Sequence, residues 1–139
     1  FQEFNVALGG TLHQFLHEVP GRFDHRRDRT KPMASQMGHC HDITLRKDGP
    51  LAEMTGSDTA GVNSLHGQGI DKAAPGMTVE ATAPDSTIEA LSLNGASTFT
   101  VGVQWHPEFN AEENSFYRAL FEAFGEAARV RTEQRRNSR

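Results

Sequence analysis

Apolar positions along this chain fall into short groups separated by glycine, proline and charged runs, and the spacing within each group predicts an element. From Phe1 to Leu8, the residues Phe1, Phe4, Val6, Ala7 and Leu8 lie at mixed helical spacing before Gly9-Gly10 break the pattern, so a helix starts at or before the first residue. Thr11 can cap a second short helix that runs to about Glu18 and ends at Pro20-Gly21. The stretch from Arg22 to Met37 is dense in charge with almost no apolar periodicity, which predicts a surface loop. Ile43 and Leu45 alternate with polar neighbours in a short strand, and Leu51 to Met54 suit one helical turn.

Val62 to Ser64 predicts a strand end running into the polar loop His66-Gly67-Gln68-Gly69. Met77 to Ala83 and Ile88 to Leu93 are strand-like runs split by Pro84-Asp85, and Thr98 to Trp105 follows the Asn94-Gly95 turn, so the three are expected as successive antiparallel neighbours. From Asn114 to about Arg129, Phe116, Leu120 and Phe124 recur every four residues beside Tyr117 and Phe121, predicting an amphipathic helix that covers one face of the sheet. Arg131 to Arg139 is polar and arginine-rich and is expected as a frayed basic tail outside the domain formed by residues 1–130. No internal repeat is present.

Composition narrows the classes. A chain of 139 residues is the size of one domain, and its 36% apolar content together with 13 glycines suits a globular core. A net charge of −4 argues against a nucleic-acid footprint across the surface. The single cysteine, Cys40, excludes an internal disulfide and favours a reducing compartment, with the cytoplasm the expected location. No run approaches the length of a membrane helix and no leader pattern opens the chain, which does not begin with Met and reads as an internal start.

The sharpest candidate chemistry lies at Gly102-Val103-Gln104-Trp105-His106-Pro107-Glu108, where a strand runs directly into a histidine, a proline and a carboxylate. The residue before proline is held extended, and alternation puts His106 and Glu108 on one side. Glu108 could then accept a hydrogen bond from one imidazole nitrogen and leave the other to move a proton. The plainer alternative is that His106 ends a strand and Glu108 caps the next turn. As metal ligands, His13 and His17 are four apart on the expected helix, but Gln14 stands where a metalloprotease needs its glutamate. His39 and His41 flank Cys40 without an evident third ligand, so no metal or other cofactor is expected.

Four segments in order carry a resemblance: Gln2 to Leu12, with its asparagine and double glycine; Val62-Asn63-Ser64-Leu65-His66-Gly67-Gln68; Pro84-Asp85 with Ile88-Glu89-Ala90; and Gly102 to Glu108. Together they resemble the class I glutamine amidotransferase superfamily and, within it, the peptidase C26 group and its gamma-glutamyl-gamma-aminobutyrate hydrolase branch. The resemblance covers nearly the whole chain except the charged loop and the basic tail. It implies an α/β fold, the C-terminal part of a flavodoxin-like three-layer architecture whose parallel sheet carries an antiparallel edge.

The same resemblance implies hydrolysis of a gamma-glutamyl amide, most specifically gamma-glutamyl-gamma-aminobutyrate in putrescine breakdown, by a Cys-His-Glu triad. His106 and Glu108 would be its acid-base members. The family's nucleophilic cysteine precedes a glycine by two residues and a glutamine by four; Gln2 matches that glutamine, so the nucleophile would fall just upstream of Phe1, in an N-terminal half of the same protein. Cys40 lacks the elbow glycines and a following helix. Gln2, Ser64 and His66 are the implied substrate contacts, although the 63–68 loop could instead satisfy only its own backbone. Another class I glutaminase or gamma-glutamyl hydrolase, or a non-catalytic binding fragment, remains an alternative, and a homo-oligomer is left open. This chain by itself is expected to be inactive.

Overall fold

A computed structural model describes residues 1–138. Helix α1 (Gln2–Ala7) leads into strand β1 (Thr11–His13) and a 3-10 turn (Leu16–Glu18), followed by α2 (Met33–Gln36), β2 (His41–Leu45), α3 (Pro50–Thr55) and β3 (Thr59–Val62). Strands β4 (Gly69–Lys72), β5 (Met77–Thr82), β6 (Ile88–Leu93) and β7 (Val101–Val103) come next, and α4 (Ser115–Asn137) ends the chain. The strands form one seven-stranded sheet in the order β1-β4-β6-β5-β2-β3. Strand β5 runs along one edge of β6, whose other edge is shared between β4 at Ile88 and β7 at residues 90–92. Every pairing among the described residues is antiparallel, so this chain holds the antiparallel part of the expected fold.

The expected β5, β6 and β7 ladder forms, with short turns joining neighbours as the alternation requires. On one face of the sheet Ile43, Leu45, Val62, Ala81 and Ala90 pack with Trp105, Leu51 of α3 and Tyr117 of α4 into a single buried cluster. Asn114 caps α4, its side chain accepting hydrogen bonds from the backbone N–H groups of Phe116 and Tyr117, and Phe116 stacks on Trp105 with ring centroids 5.5 Å apart.

Three expectations are corrected. Thr11 does not cap a helix: it belongs to β1, opposite Lys72, and its hydroxyl donates to Asp71 Oδ2 at 2.8 Å. The helical spacing of Leu12, Phe15 and Leu16 misleads because only Leu16 is buried, under Gly69, while Phe15 is exposed. Helix α4 also covers the sheet with its first turns alone; Phe121 and Phe124 are exposed. It continues through the expected tail as far as Asn137, tied by Arg129 to Glu126 and Glu133 one turn away on either side, while Arg139 lies outside the described residues. Among the described residues no helix is long and apolar enough to cross a membrane.

Helix α1 is fixed by one fully buried side chain. Asn5 Nδ2 donates to the carbonyls of Lys72 (3.0 Å) and Thr11 (3.3 Å), and Asn5 Oδ1 accepts from the Ala74 N–H (2.8 Å), so a single amide joins α1, β1 and β4. Gly9 takes a φ of +96°, and a Cβ on Gly10 would lie 2.2 Å from Asn5 Nδ2. Replacing Gly10 with alanine should therefore destabilise the fold by roughly 2 kcal/mol or more, an effect of overpacking against a buried amide. Denaturant unfolding of Gly10→Ala beside Gly38→Ala, where the added Cβ meets nothing closer than 3.4 Å, checks this.

Candidate active site

The end of β7 carries the predicted pair. His106 Nδ1–H donates to Glu108 Oε1 at 2.8 Å, with both side chains open to solvent, so the ring is oriented through one nitrogen and presents the other. Among the described residues this is the hydrogen bond the Glu108 carboxylate makes; it caps no backbone turn. The backbone of His106 is held just as firmly. Its N–H donates to Asn63 Oδ1 (2.8 Å) and its carbonyl accepts from Asn63 Nδ2 (2.9 Å), while the Asn63 N–H donates to the Tyr117 hydroxyl (3.1 Å). Asn63 is fully buried, so the core beneath α4 and the base at the strand end are linked through one amide side chain.

His106 borders a cavity of about 890 Å³ together with Phe1, Gln2, His66 and Gln104. Gln2 Nε2 donates to Gln104 Oε1 at 3.1 Å across its wall. The first turn of α1 reaches this place because β7 carries Gly102, where a Cβ would stand 3.2 Å from Phe1 and 3.5 Å from Phe4. Gln2, His66 and His106 are thus brought together. Ser64 borders a neighbouring groove that also reaches His106 and Glu108, and it is largely buried, with its hydroxyl 3.0 Å from His25 Nδ1 and 3.2 Å from the His25 carbonyl.

Cys40, an exposed residue, borders this second, wider groove too, but desolvation by its neighbours and the charge of Glu89 push its thiol pKa up, opposite to what a thiolate nucleophile needs. His13 lies in β1 near Asp71 and His17 near Glu18, so the two do not converge; His39 Nε2 meets Asp42 Oδ1 at 2.8 Å on the surface.

Behind the 63–68 loop lies a buried polar group that sequence spacing does not disclose. His25 and Glu89 are fully enclosed, although His25 comes from the charged stretch expected to be a surface loop. It is drawn inward by Asp85, in the β5–β6 turn, whose carboxylate accepts from the Phe23 N–H (2.8 Å), His25 Nε2 (2.9 Å) and the Thr87 N–H (3.0 Å). Burial raises the Asp85 pKa, and these donors more than offset it, leaving the carboxyl well below the usual range. Burial lowers the pKa of His25 against the opposing pull of Asp85.

With this geometry in view, comparison with known proteins assigns the lineage. The family model for peptidase C26 matches residues 1–108. This chain belongs to the peptidase C26 family. Among its relatives, the gamma-glutamyl-gamma-aminobutyrate hydrolase PuuD of Escherichia coli (strain K12) is 41% identical over 124 residues, covering 88% of this chain and 48% of that protein. Protein NtpR of Enterococcus hirae is 33% identical over 124 residues, covering 88% of this chain and 50% of its own length. The chain therefore spans about half the length of these curated relatives. A solved glutamine amidotransferase from Thermotoga maritima superposes with a TM-score of 0.54 at 16% identity, over 94% of this chain and 46% of the other. A solved protein of Thermoplasma acidophilum gives a TM-score of 0.67 at 14% identity, over 96% of this chain and 56% of that one. These establish the class I glutamine amidotransferase-like α/β fold for this peptidase C26 chain.

Truncating Asn63 to alanine removes both bonds to the His106 backbone, leaving its part-buried N–H without a protein partner and its carbonyl with only the long 3.4 Å bond from the Phe109 N–H, a loss of roughly 1–2 kcal/mol. Unfolding curves should show that loss. The crystal structure of the variant should show the His106 backbone displaced from its wild-type position; an unmoved backbone at unchanged stability would count against the clamp.

Proposed function

We propose that the intact protein containing this chain hydrolyses a gamma-glutamyl amide, with gamma-glutamyl-gamma-aminobutyrate the specific substrate, yielding glutamate and gamma-aminobutyrate, in a cytoplasmic setting. The observation that carries this reading is the His106–Glu108 pair, 2.8 Å apart, on a cavity shared with Phe1 and Gln2 at the opening of α1. Membership in peptidase C26 and the 41% identity to a hydrolase of this substrate support the choice of amide.

In the proposed cycle a cysteine thiolate, supplied from the polypeptide preceding Phe1, attacks the side-chain amide carbonyl. The tetrahedral adduct collapses as His106 Nε2 gives its proton to the departing amine, leaving a glutamyl thioester. Neutral His106 then takes a proton from water as that water attacks the thioester; collapse releases glutamate and returns the thiolate with a protonated imidazole. Glu108 stays hydrogen-bonded to Nδ1–H throughout and holds the ring in the tautomer that exposes Nε2. Gln2, on the wall of the same cavity, is the proposed polar contact for the glutamyl end, and His66, its Nδ1 held by the Gln68 carbonyl and its Nε2 buried, would border that end with its ring alone. Ser64, its hydroxyl turned to His25, would act on that end only through the shape of the 63–68 loop.

The intact protein should release glutamate from gamma-glutamyl-gamma-aminobutyrate faster than ammonia from glutamine. His106→Asn should lower kcat by about 10²–10⁴-fold with an unchanged circular dichroism spectrum, and Glu108→Gln should lower it less, because it removes the orienting group and not the proton carrier. Wild-type turnover in His106→Asn would overturn the assignment.

A further inference from the structure

A carboxylate and three imidazoles converge in the buried group behind the 63–68 loop without satisfying one another. His41 Nε2 lies 3.4 Å from Glu89 Oε1, and His25 Nδ1 and His66 Nε2 each lie 3.7 Å from that same oxygen. The two 3.7 Å separations exceed hydrogen-bond length, and the 3.4 Å approach of His41 makes no aligned hydrogen bond. Both Glu89 oxygens, His41 Nε2 and His66 Nε2 are buried and unpartnered among the described residues, and Glu89 is 0% exposed. An enclosed carboxylate with no donor is among the costliest arrangements a core can hold, so four atoms in this state at one point call for a shared partner.

We infer that Glu89 Oε1, His41 Nε2, His66 Nε2 and His25 Nδ1 are the four ligands of one divalent transition-metal ion of the zinc class. Zinc bonds of about 2.0–2.1 Å set tetrahedral ligands about 3.3 Å apart, close to the 3.4–3.7 Å spacings about Glu89 Oε1. Ligand atoms of His25, His66 and Glu89 all lie within 4.8 Å of one another; His41 stands outside that group although its Nε2 is 3.4 Å from Glu89 Oε1, so binding draws its ring inward to complete the tetrahedron. Imidazole rings radiating from a common tetrahedral ion have centroids about 5 Å apart. The centroids of His25 and His41 are 5.2 Å apart, and those of His25 and His66 are 4.8 Å apart.

For two of the three histidines the outer partners have the arrangement that metal binding requires. His25 Nε2–H donates to Asp85 Oδ2 at 2.9 Å and His66 Nδ1–H to the Gln68 carbonyl at 2.7 Å, so each ring is held in the tautomer whose other nitrogen faces Glu89. Ser64 Oγ is the competitor for His25 Nδ1, and its proton has a second acceptor in the His25 carbonyl at 3.2 Å. Three imidazoles and one carboxylate suit zinc, whereas calcium and magnesium take oxygen-rich shells. With four protein ligands the site is closed and structural. It joins the charged stretch, β2, the 63–68 loop and β6, which gives a segment without apolar anchors a reason to stay docked.

The test uses the intact protein, purified without a histidine tag. Elemental analysis should find about one zinc per chain, and chelated protein should take up one cobalt(II) with the visible bands of a tetrahedral ion. Glu89→Gln and His41→Asn should each weaken cobalt binding by more than about 100-fold, and Asp85→Asn, which leaves all four ligands, by about 10–100-fold. If a ligand variant fails to fold, the wild-type titration and Asp85→Asn decide. Wild-type protein that takes up neither ion at equimolar stoichiometry overturns the proposal, as does uptake unchanged by Asp85→Asn and His41→Asn.

Discussion

Two hydrogen bonds from the Asn63 side chain to the backbone of His106, with a third from its own N–H to Tyr117, tie the strand end to the core and set where the imidazole stands. A ring whose proton transfer depends on fractions of an ångström needs a fixed main chain before its orienting carboxylate can matter. Here the two tasks are divided. Asn63 holds the backbone from the buried side, and Glu108 turns the ring from the solvent side. The exposed site thus borrows its rigidity from the cluster of Trp105, Tyr117 and Val62 beneath it.

Glycine and asparagine do comparable work at the other wall of the cavity. Asn5 satisfies three backbone groups from α1, and Gly10 leaves room for that amide. Gly102 allows Phe1 and Phe4 to lie directly against β7, which brings the opening turn of the helix to the cavity of His106. Both approaches depend on the absence of a side chain, so they fix distances between backbones more tightly than flexible packing would.

How much of this was legible in the sequence follows from the range of each interaction. The β5–β6–β7 ladder is readable because alternation and the Asn94-Gly95 turn are local signals that agree with the final pairing. The His106–Glu108 pairing is readable for the same reason, since the proline between them restricts the backbone. Strand β1 is hidden because Leu12, Phe15 and Leu16 fit a helix as well, and only pairing with β4, far along the chain, decides between them. Strand β4, with Ile70 as its one large apolar residue, carries almost no pattern of its own. The burial of His25 is the least readable feature, for its neighbours are charged and the group that draws it inward, Asp85, is sixty residues away.

The separation between local and distant contacts also bears on the order in which the molecule acquires its shape. Strands joined by short turns lose little chain entropy on pairing, so the β5–β6–β7 meander can form early. The Asn63 bonds close a span of 43 residues and the Asn5–Ala74 bond one of 69. Proton-transfer geometry thus rests on contacts whose closure costs more chain entropy than the pairing of the meander does.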